Sequence, residues 1–197
     1  MGTLNAVWFA AVHGLSGRNI IADVAAIFFA TWMPYFLGAG FLVFVFLRKG
    51  ARRRFYIFAE AALAMILARG IVTSVIRFFF HEARPFSVQA FVPLVVTGGW
   101  SFPSGHAALF FALATAMWFA NRKWGWWYIV LAAVMAFARV YVGVHWPFDV
   151  IGGAVIGIAS AGLVHWWLAG VRKGLARHEM SRHGGEKGEG VSPSVTA

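Results

Sequence analysis

The sequence predicts an all-α membrane protein: a polytopic bundle of about five transmembrane helices plus a short N-terminal interfacial helix. Three observations carry this. Of the 197 residues, 60% are hydrophobic and only 12% charged, against about 25% charged in soluble domains. Several apolar runs approach the roughly 20 residues needed to cross a bilayer. The basic residues fall in short clusters between those runs, as loop anchors do. The net charge of +10 is therefore not read as a nucleic-acid face. No cysteine is present, which excludes disulfides and thiolate metal sites.

The elements follow in order. Residues 3–14, TLNAVWFAAVHG, are too few to span and predict a helix lying in the interface. Residues 1–16 lack a basic n-region and a cleavage pattern, so a removable signal peptide is not expected. The first span runs from Val24 to Leu47, with Pro34 inside it as a kink. RKGARRR, residues 48–54, is a basic loop, and the second span covers Phe55 to Phe79. Pro85, Pro93 and the Gly98-Gly99 pair break the stretch from His81 to Phe102 into a loop. The third span opens at Ser104 and ends near Ala120, where NRKWG forms a tight basic turn. The fourth covers Trp126 to Val144 and the fifth Phe148 to Gly170. Residues 1–170 thus form the membrane domain. Residues 171–197, rich in Gly, Ser and charge, predict a polar tail without fixed structure.

Basic loop 48–54, turn 121–125 and the tail hold 12 of the 17 lysines and arginines. All lie at alternate ends of consecutive spans. The positive-inside rule puts those ends in the cytoplasm. Residues 1–23, 81–103 and 144–149 then face outwards.

The remaining polar groups gather at that outer face: Arg77 and Arg84 around the second span's end, Ser104, Gly105 and His106 opening the third. Arg139, His145 and Asp149 lie at the junction of the fourth and fifth. Intramembrane ionisable groups mark function by default. Three guanidinium groups match phosphate oxygens. PSGH, residues 103–106, reads as a helix start whose free N–H groups bind phosphate, with Ser104 at the N-cap and Gly105 allowing close approach. Asp149, in a first turn behind Pro147, can reach back to His145 and fix its tautomer. His145 is then the candidate nucleophile and His106 the candidate acid for the departing oxygen. The cations and helix amides supply the electrostatic stabilisation, so no metal or other cofactor is expected.

These residues resemble the type 2 phosphatidic acid phosphatase (PAP2) superfamily, whose signature is K-x6-RP, PSGH and SR-x5-H-x3-D. Here the parts read Arg77-FFFHEA-Arg84-Pro85, Pro103-Ser104-Gly105-His106 and Arg139-VYVGV-His145-WPF-Asp149. The spacing within each part agrees. Arg77 replaces the usual lysine, and Ala138 the usual serine before the arginine. The resemblance covers about residues 20–170 and implies a PAP2/haloperoxidase-like core. It also implies a phosphohistidine on His145, His106 as general acid, and Arg77, Arg84, Arg139, Ser104 and Gly105 as phosphate ligands. Within the superfamily, "RPF" and "VHWPFDVIGGA" are most similar to the bacitracin-resistance type undecaprenyl-diphosphatases. Those act on undecaprenyl diphosphate at the outer face of the bacterial inner membrane.

Phosphatidylglycerophosphate, phosphatidic acid and lipid A phosphatases share this core, as would a phosphotransferase. A transporter of an anion or lipid is the reading from another class; it needs polar groups through the whole depth. Glu60 and Arg69, inside the second span, are read as pairing with a neighbouring helix. His81 and Glu82 are read as exposed loop residues. His13, His165, His178 and His183 have no partner that sequence reveals. Gly152, Gly153 and Gly157 predict close helix packing.

Overall fold

A computed structural model describes residues 3–186, with side chains described as far as Val171. Regular structure among the described residues is helical, with no strand. Helix α1, Thr3–His13, is the expected short element. It packs against α8 (Arg122–Tyr141) and α9 (Pro147–Glu186), pinning Phe9 against Trp146 at a ring separation of 4.9 Å. His13 is tied down as well: its Nδ1 meets the Tyr141 carbonyl at 2.9 Å.

The first span is two helices, α2 (Ile20–Thr31) and α3 (Met33–Phe46), bent by 49°. Asn19 caps α2, its side chain accepting from the N–H groups of Ile21 and Ala22. Pro34 sits in the first turn of α3. It has no N–H for the carbonyl four residues back and its ring clashes there, which accounts for the bend.

The second span, Ala51–Phe79, is a 29-residue rod. It starts four residues before the expected Phe55, because arginine is a good helix former and Arg52, Arg53 and Arg54 extend the helix into the basic loop. Its middle departs from α geometry. Helix α4 (Ala51–Met65) passes into a π-helical segment, Ile66–Val72, before α5 (Thr73–Phe79). The loop that follows holds one short helix, α6 (Pro85–Val88).

Helix α7, Gly105–Ala120, is the centre of the bundle, enclosed by α4, α8 and α9. Its 16 residues extend about 24 Å, short of the roughly 30 Å hydrocarbon layer. The expected third span is this short, buried helix, which carries the chain from the Ser104 end of the bundle to the basic turn at Asn121–Lys123. Ala108 and Ala112 meet Ala64, Ala68 and Ala161 in one apolar cluster. A Cβ on Gly153 of α9 would overlap the Ser104 carbonyl, and one on Gly157 would sit 2.8 Å from the Ala112 nitrogen. Small residues thus set the close α7–α9 approach, as expected where lipid removes the hydrophobic drive between helices.

Helices α8 (Arg122–Tyr141) and α9 (Pro147–Glu186) complete the bundle. Helix α9 continues beyond Gly170, where a tail without fixed structure was expected. Its further sequence, VRKGLARHEMSR, is rich in good helix formers. Residues 187–197 of that expected tail, and the side chains of His178 and His183, lie outside the described residues.

Ala51–Phe79, Arg122–Tyr141 and Pro147–Val171 are each long and apolar enough to cross a membrane, and the bent α2–α3 pair makes a fourth candidate. Large apolar side chains cover the outside, among them Ile20, Leu47, Phe78 and Trp166. The protein is a multi-pass membrane protein. The chain turns back at both ends of the bundle. Arg48 to Arg54 and Arg122–Lys123 occupy one end; the α7 N-terminus and the α8–α9 junction occupy the other.

Candidate active site

The site is built where three helix ends meet: the start of α7, the end of α8 and the start of α9. His145 is in the α8–α9 junction and is 1% exposed. Asp149 lies in the first turn of α9, so its carboxylate folds back over one turn. Asp149 Oδ2 faces His145 Nδ1 at 3.3 Å. The same oxygen accepts the Trp146 N–H at 2.8 Å and a short hydrogen bond from the Ser101 hydroxyl. With three donors on one oxygen, Asp149 acts as an acceptor. Asn5 of α1 braces the same turn by accepting the Phe148 N–H at 3.1 Å.

The other imidazole nitrogen, Nε2, faces Arg84 Nη1 at 3.5 Å. Burial comes first, then the charges of Arg139, Arg84 and Arg77; together they hold the His145 pKa well below its ordinary 6.5. The ring is therefore neutral near neutral pH. With Nδ1–H turned to Asp149, its Nε2 lone pair points among cations.

Each arginine is held by backbone carbonyls. Arg84 donates to Val144 O at 2.7 Å, Gly99 O at 2.8 Å and Gly98 O at 2.9 Å. The Pro- and Gly-broken loop thus wraps its own arginine. Arg139 Nη1 donates to Ala30 O at 3.1 Å. That carbonyl lies four residues before Pro34, the residue that cannot bond to it. The kink in the first span therefore supplies the anchor for Arg139. Arg77 directs both Nε (3.2 Å) and Nη2 (2.8 Å) to Pro103 O. The fork that replaces the usual lysine is largely engaged by the PSGH backbone.

Two buried donors at this place have no partner within the described residues: Ser104 Oγ and Arg139 Nε. Ser104 stands at the N-cap of α7 as expected, but its side chain makes no cap hydrogen bond. Its N–H donates to Asp149 O at 2.9 Å. Gly105 follows it, buried. His106, in the first turn of α7, is exposed. An unpartnered hydroxyl, a free guanidinium N–H, a helix N-terminus and a neutral imidazole suit an anion with several oxygens.

Arg77, Arg84, Ser104, Gly105, His106, Arg139, His145 and Asp149, the candidate site residues, lie at this end of the bundle. Sequence reasoning missed Ser101, Asn5 and the Ala30 carbonyl. Glu60 pairs with a neighbouring helix as expected, its Oε1 2.7 Å from His165 Nδ1 of α9. Arg69 does not; it turns towards the start of α7. Glu82 departs from its exposed-loop reading. With His81, Phe102 and Phe148 it lines a cavity of about 550 Å3 beside the site. Burial, then the Asp149 charge, raise its carboxyl above the ordinary range.

The family model described as "PAP2 superfamily" matches residues 57–173. The bacitracin transport permease protein BcrC of Bacillus licheniformis is 30% identical over 83% of this chain and 80% of its own. The undecaprenyl-diphosphatase BcrC of Bacillus subtilis is 30% identical over 76% of this chain and 77% of its own. The crystal structure of Aquifex aeolicus LpxE superposes with a TM-score of 0.70 at 27% identity, covering 83% of this chain and 95% of that one. The match extends over more than half the sequence and takes in all three motifs, so this chain belongs to the PAP2 superfamily.

Proposed function

We propose that the protein hydrolyses undecaprenyl diphosphate to undecaprenyl phosphate and phosphate. The observation that carries this is the line Asp149–His145–Arg84, ending in a neutral Nε2 beside unpartnered phosphate donors. The Bacillus subtilis relative's name supports the choice of lipid.

In this reading His145 Nε2 attacks the terminal phosphorus. A P–N bond forms and the bridging P–O bond breaks. Asp149 stabilises the imidazolium that results. His106 gives its proton to the departing lipid phosphate. Water then attacks the phosphohistidine, losing a proton to His106, and phosphate leaves with His145 restored. Arg84, Arg139, Arg77, Ser104 Oγ and the α7 amides hold the equatorial oxygens. These cations make the step independent of metal.

Sidedness follows from charge. The basic loops lie at the bundle end opposite the site, so the site faces outwards, where it meets a headgroup whose tail stays in the bilayer. A conduit is disfavoured by what lies beneath the site. Leu113, Met117 and Met135 fill the bundle below it as an apolar plug.

The test is phosphate release from purified protein offered undecaprenyl diphosphate, phosphatidylglycerophosphate, lipid A and phosphatidic acid, with and without EDTA. Undecaprenyl diphosphate is expected to lead by at least about tenfold in kcat/KM, with activity surviving EDTA. Equal rates on all four point to a general lipid phosphatase. Loss with EDTA, restored by magnesium, removes the mechanism. In intact cells, Ser87→Cys is expected to react with an impermeant thiol reagent and Gly50→Cys to resist it.

A further inference from the structure

Arg69 lies within a membrane-spanning rod, where an unpaired cation is costly. The described ion pairs join His145 to Asp149 and His165 to Glu60; neither involves Arg69. The Arg69 side chain enters none of the described hydrogen bonds; its carbonyl accepts from Ser74 Oγ at 3.5 Å. Its guanidinium instead lies over Gly105. A Cβ on that glycine would overlap Arg69 Nε and sit 2.7 Å from Cδ and 2.9 Å from Cζ. The glycine of PSGH therefore makes room for this arginine. The Arg69 charge is felt at both Arg77 and His106.

The π-helical segment explains how Arg69 gets there. Along an unbroken α-helix, the eight residues from Arg69 to Arg77 would turn them about 80° apart. Residues 66–72 turn less per residue, which rotates Arg69 back towards the Arg77 face. Fully buried Thr73 ties the segment down, its Oγ1 donating to Ala68 O at 2.8 Å. Both guanidinium groups consequently meet the start of α7. Arg77 spends its fork on Pro103 O; the Arg69 fork has no such acceptor among the described residues. A second sign of a ligand lies beside it: Ser104 Oγ, fully buried and unpartnered.

We propose that Arg69 binds the phosphoryl group that is not under attack, so that the site distinguishes a diphosphate from a monophosphate ester. The inference rests on the phosphatase reading above. In that reading the attacked phosphorus meets His145 Nε2, with Arg84 beside it to take one of its oxygens. His106 serves the bridging oxygen, and the next phosphorus lies beyond it, on the Gly105–Arg69 side. A monophosphate ester has no oxygens to place there.

The test is direct binding by the detergent-solubilised full chain, with inorganic pyrophosphate and inorganic phosphate as probes in calorimetry. Wild type is expected to bind pyrophosphate more tightly than phosphate. Arg69→Gln is expected to weaken pyrophosphate binding about tenfold and phosphate binding less than about threefold. Arg69→Lys keeps the cation and is expected to recover most of the pyrophosphate affinity, which also separates charge from folding. Equal weakening for both probes, or unchanged pyrophosphate binding, overturns the proposal, as does a wild type with no preference. Binding needs no turnover. Failure to hydrolyse undecaprenyl diphosphate sinks the substrate reading without deciding the Arg69 result.

Discussion

Two histidine–carboxylate pairs involve α9, one at each end of its membrane-spanning part. Towards the basic end, His165 Nδ1 is 2.7 Å from Glu60 Oε1, with side chains 37% and 17% exposed. At the opposite end, His145 and Asp149 are 3.3 Å apart and 1% and 0% exposed. The shorter contact belongs to the pair with the plainer surroundings. His165 stacks on Phe119 at 4.0 Å and joins two helices. Asp149 is shared with Ser101 and Trp146, and the far nitrogen of His145 faces a guanidinium. A short pair is glue between helices; a buried pair with oriented donors behind it and cations in front of it is chemistry.

The largest test of that contrast is His145→Ala. It is expected to remove turnover by at least about 1,000-fold, roughly 4 kcal/mol of barrier, while substrate still binds. A residual rate within about tenfold of wild type would end the nucleophile assignment. The pH profile sharpens the same point. Burial and three arginines disfavour the imidazolium, so the neutral ring persists below the ordinary histidine value of 6.5. Activity is expected to hold at pH 6.5 and decline only at lower pH. Arg77→Gln removes one of those charges and is expected to move the acid limb upwards. An acid limb at or above 6.5 in wild type contradicts the environment described.

Ser101 gives an intermediate effect. Its hydroxyl orients the carboxylate that orients the imidazole, so it acts through Asp149 and positions rather than reacts. Ser101→Ala removes one hydrogen bond to a charged acceptor, about 1.5 kcal/mol, and is expected to lower kcat roughly tenfold with KM little changed. Ser101→Thr retains the hydroxyl and is expected to recover part of the loss. A change in KM alone would place Ser101 on the substrate instead.

Much of this was legible in the sequence, and the exceptions share a cause. Arg84, Ser104, Arg139, His145 and Asp149 announce themselves because helix ends and fixed spacings bring them together. Ser101 acts on a residue 48 positions away, and a loop serine carries no spacing signature. The anchor of Arg139 is a backbone carbonyl, visible in sequence only as Pro34 four residues later. The place of Arg69 against Gly105 is not legible, because hydropathy measures a segment's average. The π-helical turn that swings it towards Gly105 depends on tertiary contacts. The same averaging set the second span at Phe55.

The Glu60–His165 pair completes the comparison with the smallest expected effect. Interhelical hydrogen bonds in membranes average about 0.6 kcal/mol, because the separated helices find other partners. Glu60→Gln and His165→Phe are therefore each expected to leave kcat/KM within about twofold of wild type. A double-mutant cycle on unfolding in detergent is expected to give a coupling of about 0.6 kcal/mol. The prediction has content because both pairs belong to one rigid α9. If helix continuity alone transmitted function, disturbing His165 would be felt at His145. Packed against α4 and α7 by its small residues, α9 has many contacts between the two sites to absorb the change. A loss of tenfold or more in kcat/KM, with folding intact, would show that the two pairs are coupled.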